Sequence, residues 1–242
     1  MRLTDFKVLT FDCYGTLIDW ETGLWNALQP LLAAGQLDMP REAALALYGR
    51  HEAAQERETP SLRYSTLLSV IHARLARELG LRVHADLHDR FGASVPDWPA
   101  FPDSAAALAY LKRHYRLVIL SNIDRPSFAA SNRKLGVTFD AIYTAEDIGS
   151  YKPDPANFAY LVDHLDADLG LRPQEILHTA QSLYHDHVPA ARAGLARAWI
   201  DRRFGLTGSG ATPIPETRPD VDFHFRSLGA LAEAHRAEIE GG

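Results

Sequence analysis

Cysteine is nearly absent from this chain, whose 242 residues include one, Cys13. A single thiol excludes an internal disulfide framework and a cysteine zinc cluster, and it fits a reducing compartment, so a cytoplasmic location is expected. No apolar run approaches the roughly 20 residues of a membrane span, and the opening Met1-Arg2-Leu3-Thr4-Asp5 lacks the pattern of a secretory leader. Neither a membrane nor a signal peptide is therefore expected. There is no dense block of lysine and arginine, and 25 basic against 31 acidic residues give a net charge of -6. A nucleic-acid partner is not expected either. No internal repeat is found. The composition, 46% hydrophobic with 10% aromatic, suffices to bury a core, and the length fits one α/β domain carrying an inserted module. Small molecules are the expected ligands.

Lys7 to Phe11 is a β-branched and aromatic run ending in Asp12-Cys13-Tyr14-Gly15-Thr16, the pattern of a buried strand that delivers its tip to a glycine turn. From Trp20 to about Phe91 the apolar residues change to helical spacing, as in Leu24, Leu28 and Leu31, then Leu67, Leu68, Ile71 and Leu75. An all-helical insertion over residues 19–98 follows from this. The proline-rich Trp98-Pro99-Ala100-Phe101-Pro102 closes it. Core strands are then expected at Leu117 to Leu120, Phe139 to Thr144, Ile176 to Thr179 and Ala196 to Ile200, alternating with helices. That alternation predicts a Rossmann-like parallel α/β sheet built from residues 1–18 and 99–242. Gly205 to Asp220, with clustered glycine and proline, reads as a surface loop.

Polar groups follow the strands in a recurring way. Asp12 follows the first strand, Ser121-Asn122 the second, Lys152 the third and Asp186 the fourth. Each alone reads as a cap, a turn or a solvated charge. Four at the same edge of a parallel sheet converge on one crevice, where such folds bind ligands. A carboxylate nucleophile needs an electrophilic carbon or phosphorus, a cation nearby and help for water in a second step, and this order supplies those parts.

The segments carrying these groups resemble the four motifs of the haloacid dehalogenase superfamily: Phe11 to Leu17, Leu120-Ser121-Asn122, Tyr151-Lys152-Pro153-Asp154-Pro155 and Ser182 to Asp186. The helical insertion is similar to that family's cap domain. The superfamily's magnesium phosphatases place an aspartate two residues after the nucleophile; here Tyr14 stands there, which looks like the type II 2-haloacid dehalogenases. A halide leaves as a stable anion and needs no proton, unlike an alkoxide leaving phosphorus. Ala180-Gln181-Ser182 puts a neutral amide where the phosphatases carry an acidic metal ligand, and Mg²⁺ favours anionic oxygen. The resemblance therefore implies a metal-independent hydrolase without cofactor that forms an aspartyl ester from a small anionic 2-haloacid. The rival readings are a Mg-dependent phosphatase and a non-catalytic binding protein; cap-mediated homodimers occur in proteins of this kind.

On that resemblance Asp12 is the nucleophile, Thr16 orients it, and Lys152 with Asp186 holds its charge and the hydrolytic water. Ser121 and the amides from Tyr14 to Thr16 take the substrate carboxylate, and Asn122 donates to the departing halide. Ser182, Tyr64 and Tyr14 complete the substrate set, with Trp20 and Trp25 as further cap-side aromatics. The family's cap arginine falls on Gly49, making the adjacent Arg50 the candidate. Its tyrosine after the lysine is Phe158 here, and its asparagine before the last aspartate is Leu183. Cys13 is expected in the core, and His51, His185 and His187 in surface or packing roles.

Overall fold

Val8–Phe11 forms β1, all four of its side chains buried, as a continuous apolar run should be when both sheet faces are covered. A computed structural model describes residues 1–241. β1 pairs in parallel with β2 (Arg116–Ser121) on one side and with β4 (Ile176–Ala180) on the other. β3 (Ala141–Thr144), β5 (Ala196–Ile200) and β6 (Phe223–Phe225) complete a six-stranded sheet in the order β3-β2-β1-β4-β5-β6. The strand direction of travel reverses between β1 and β4, so the crevice of a doubly wound sheet opens beyond their C-terminal ends.

Four helices are inserted between β1 and β2: α1 (Trp20–Ala34), α2 (Arg41–Glu58), α3 (Tyr64–Glu78) and α4 (Ala85–Gly92). The remaining helices belong to the sheet layers: α5 (Ser104–Leu111), α6 (Arg125–Leu135), α7 (Ala145–Ile148), α8 (Pro155–Leu169), α9 (Val188–Arg192) and α10 (Leu228–Glu240). Their starts are capped by side chains that accept the first free amides, Asp124 from Ser127, Thr144 from Asp147 and Asp154 from Ala156. No helix among the described residues is long and apolar enough to cross a membrane.

Three contacts lock the insertion over the core. Arg63 pairs with Glu146 at 2.6 Å, the Ser65 amide donates to Asp124 at 2.9 Å, and the Tyr151 hydroxyl donates to the Leu62 carbonyl. A fourth contact corrects the reading of Gly205 to Asp220 as surface loop. Gly210, Ala211 and Thr212 are buried, and the Ala211 amide donates to Glu21 at 3.0 Å. Arg203 joins Glu21 to Glu42 beneath this loop. The segment packs through its backbone, which is why no apolar pattern marks it. Beyond it, the expected core lacked β6, too short and too mixed in its Phe-His-Phe sequence to stand out.

Gly49 shows how close this packing is. A Cβ added there would lie 2.0 Å from the Ala211 carbonyl oxygen, a backbone atom that cannot swing aside. Gly49→Ala is expected to cost about 1–3 kcal/mol, the usual range for forcing a methyl into a filled space, in urea denaturation. The same variant should increase proteolytic cutting within residues 205–213.

Candidate functional site

The turn after β1 carries Asp12 into the crevice. Gly15 sits at φ +89, a left-handed backbone that favours glycine, and the added Cβ of any other residue would meet Trp20 at 2.9 Å. This turn lets Thr16 reach back: its hydroxyl donates to Asp12 Oδ2 at 2.8 Å and its Oγ1 accepts from the Gln181 amide at 2.9 Å. The tip of β1 is thereby tied to the tip of β4.

Lys152 lies at the centre of the arrangement. Only 1% of it is exposed, in contrast to the solvated lysine its sequence context would suggest. Its ammonium donates to Asp12 Oδ1 at 3.0 Å, to Asp186 Oδ1 at 2.6 Å and to the Leu120 carbonyl at 3.0 Å. All three of its protons are thus placed. Asn122 fixes the lysine's backbone from both sides, accepting from the Lys152 amide at 2.7 Å and donating to its carbonyl at 2.9 Å. Burial works against the lysine's charge, yet the two carboxylates outweigh it and hold Lys152 above its ordinary pKa. Asp186 is held well below the carboxylate range: burial opposes this, but Lys152 and His178 prevail. At Asp12 burial prevails and raises the carboxyl, against the pull of Lys152.

His178 extends the network into the sheet. Its Nε2 lies 3.0 Å from Asp186 Oδ1 and its Nδ1 2.8 Å from the Thr10 hydroxyl. Asp186 Oδ2 is buried and has no partner.

Asp12, Tyr14, Ser121, Asn122, Lys152, Ser182, Asp186 and Tyr64 all line one cavity, partly open to solvent; Thr16 stands behind Asp12. Tyr14 presents its ring while its hydroxyl is held 3.1 Å from Ser131 of α6. Trp20 reaches the cavity, but Trp25 does not. Cys13 is fully buried. Of the amides expected to meet a substrate carboxylate, that of Gly15 is spent on the Ile18 carbonyl at 2.8 Å.

Arg50 is not in the site. It points outward from α2, its side chain 66% exposed, and pairs with Glu78 at 3.0 Å. One residue along a helix turns about 100°, so a neighbour of Gly49 leaves the face that Gly49 occupies. Asn122 also departs from its expected part, because its amide hydrogens go to the Lys152 carbonyl and, at 3.3 Å, to Glu56 Oε1. His185, expected to pack or to lie at the surface, lines the cavity with its Nδ1 3.2 Å from Ser182 Oγ.

The sequence reading missed Glu52 and Glu56 of α2, Thr212, and His178. Glu52 and Glu56 are 5% and 7% exposed and face the cavity. Glu52 Oε1 accepts from the hydroxyls of Tyr48 at 2.8 Å and Tyr64 at 3.1 Å. Burial pushes Glu52 up to about 7 and Glu56 well above the carboxylate range. The signal was the stripe Leu45, Tyr48, Glu52, Glu56, which continues a buried helix face at three- and four-residue spacing.

The donor set does not suit Mg²⁺, which requires near-octahedral oxygen ligation. Gln181 offers a neutral amide oxygen, already 3.4 Å from the Thr212 hydroxyl, and Asp186 Oδ1 is engaged by Lys152 and His178. Among the described residues, no group of three or more His, Cys, Asp or Glu is arranged to hold a metal.

Residues 6–193 match the family model of haloacid dehalogenase-like hydrolases. Among curated proteins, the chain is 26% identical over 205 residues to (S)-2-haloacid dehalogenase 4A of Burkholderia cepacia, covering 81% of this chain and 84% of that one. It is 25% identical to (S)-2-haloacid dehalogenase 1 of a Pseudomonas species, covering 74% and 77%. A solved L-2-haloacid dehalogenase superposes with a TM-score of 0.74 at 26% identity, covering 94% and 98%. A putative hydrolase of the same fold from Bacillus subtilis, solved with magnesium, superposes as well, with a TM-score of 0.75 at 18% identity over 98% and 100% of the two chains. Backbone likeness therefore does not separate the chemistries, and the side chains must.

Removing the ammonium leaves two buried carboxylates facing each other. Lys152→Met is expected to destabilise the fold by about 3–5 kcal/mol, as loss of one partner from a buried ion pair does, measured by urea denaturation at pH 7. A pH effect follows from His187. Burial lowers it to about 4; its Nε2 is 2.9 Å from the Ala180 carbonyl and its buried Nδ1 has no partner. A folded pKa below the unfolded value gives stability that is present above about 6.5 and lost as pH falls toward 4. Between pH 7 and pH 5 the protein should lose about 1–2 kcal/mol relative to His187→Gln, read from paired denaturation curves.

Proposed function

The chain belongs to the haloacid dehalogenase-like hydrolases, and we propose that its own reaction is metal-independent hydrolysis of a carbon–halogen bond in a small 2-haloacid. The observation that carries this reading is at position 14. Where general acid catalysis would require a proton donor two residues after the nucleophile, there is a tyrosine whose hydroxyl is turned away to Ser131 and whose acidity burial suppresses further. A site with no donor there suits a leaving group that needs none.

In the first step an Asp12 oxygen attacks C2 of the substrate, the carbon–halogen bond breaks, and the halide leaves with the bonding pair. The product is an ester of Asp12. In the second step water attacks the ester carbonyl and the acyl carbon–oxygen bond breaks. One water proton ends on the 2-hydroxy acid and the other goes to solvent, which restores the Asp12 carboxylate with one oxygen from water. Lys152 offsets the charge of Asp12 before attack and withdraws electron density from the ester carbonyl afterwards. Thr16 holds the other oxygen in line. In this reading Asp186, whose Oδ2 is unpartnered and buried, holds the water. Ser121, 3% exposed at the cavity wall, receives the substrate carboxylate together with nearby backbone amides.

The helical segment of residues 19–98 acts as the cap in this reading, and a cytoplasmic site of action fits the lone, buried Cys13. The relatives' names support the substrate class. The four aligned strand tips support the nucleophile.

Purified protein incubated with EDTA is expected to release chloride from 2-chloropropionate, and Asp12→Asn is expected to release none. A single turnover in H₂¹⁸O should place the label in Asp12 first, seen as a 2 Da gain in the tryptic peptide spanning it. Phosphate release from p-nitrophenyl phosphate that EDTA abolishes, with no chloride release, would refute this reading.

A further inference from the structure

The cavity contains more carboxyl groups than a 2-haloacid alone calls for. Asp12 and Asp186 share Lys152, the one cationic side chain lining the cavity among the described residues. Glu52 and Glu56 face the same space from α2 with no cation bonded to them. Glu56 Oε1 accepts from Asn122 at 3.3 Å, whereas its Oε2 takes no partner among the described residues. The arginine expected on this helix is turned out to Glu78. Two buried carboxyls without a counter-charge are costly, and both are pushed up by burial.

Three aromatic residues share the cavity with them. Tyr14, Trp20 and Tyr64 line the cavity with the two glutamates, and the Tyr14 and Tyr64 rings are 6.0 Å apart. Ring faces beside carboxylates are the chemistry that recognises an ammonium group. On the opposite, core side, Ser121 is 3% exposed and its hydroxyl takes no partner among the described residues, so a polar group of a ligand is awaited there. The two sides differ in character: Ser121 and the Lys152 ammonium, which neutralises Asp12 and Asp186, lie toward the core, and Glu52, Glu56, Trp20 and Tyr64 lie on the inserted helices.

We propose that Glu52 and Glu56 receive an ammonium group, so that the substrate is a zwitterionic 2-haloacid whose amine lies toward α2 and whose carboxylate lies toward Ser121. The proposal rests on the haloacid reading for the carboxylate end alone. The ammonium supplies the counter-charge the acids lack, and the acids ionise as it binds.

The test uses the stable 2-hydroxy acids that such reactions would yield. Isoserine, 3-amino-2-hydroxypropionate, carries the ammonium; lactate does not. Titration calorimetry at pH 8 is expected to show isoserine binding at least tenfold more tightly than lactate. Glu56→Gln, which keeps an acceptor for Asn122, should shrink that preference at least tenfold, as should Glu52→Gln, with circular dichroism confirming folding. The wild-type protein should release protons on binding isoserine, detected as a heat that changes with the buffer's ionisation enthalpy. Equal affinity for the two acids, no detectable isoserine binding at 10 mM, or equal weakening of both ligands in the glutamine variants overturns the proposal. The last result is what acids that donate protons to the substrate's anionic end would give. Chloride release from 2-chloropropionate is scored separately: its loss counts against the haloacid reading, and an unchanged isoserine preference beside it leaves the ammonium site standing.

Discussion

The Lys152 ammonium is the contact on which the rest of the site depends. Taking a lysine to 1% exposure is strongly unfavourable unless every proton finds an acceptor, and here two carboxylates and the Leu120 carbonyl supply them. Each acceptor comes from a different strand end: Asp12 after β1, Leu120 within β2, Asp186 after β4. The charge thus fastens three crossovers of the sheet at the point where their directions diverge. Stability and chemistry draw on the same bonds, since the geometry that satisfies the ammonium also sets Asp12 in the cavity wall and leaves one Asp186 oxygen unpaired.

A second layer holds that arrangement in place. Asn122 grips the lysine's backbone through both its amide and its carbonyl, and His178 bridges Asp186 to Thr10 inside the sheet. The inserted helices enter this layer through Glu56, which touches Asn122. Seating of α2 over the core and the setting of Lys152 are therefore linked through one amide side chain. The comparison of folds bears on this point: a dehalogenase and a magnesium-bound hydrolase superpose on the chain almost equally well, so what distinguishes this protein lies in side chains such as Tyr14, Gln181 and Glu56.

Much of the site could be read from sequence because a parallel sheet brings residues far apart in the chain to one edge. Asp12, Ser121, Lys152 and Asp186 each follow an apolar strand, and strand ends are the best-marked positions in such a fold. The helical side was harder to read. Acids on a helix are ordinarily solvated, so Glu52 and Glu56 gave no chemical signal, although they continue the buried face begun by Leu45 and Tyr48. Arg50 was misplaced for a related reason: proximity along a helix is not proximity on its surface. Gly210 to Thr212 escaped notice because they are buried by backbone contacts to α1 and α2, which leave no hydrophobic pattern.

The cavity above Asp12 is lined by the strand tips and the inserted helices alike. The bulk such a site admits is set by how closely the helices approach the sheet. That approach is held in part by Arg63 to Glu146, Ser65 to Asp124 and Tyr151 to Leu62. Together with the Arg203 bridge to Glu21 and Glu42, these polar ties set the size of molecule that can reach the nucleophile.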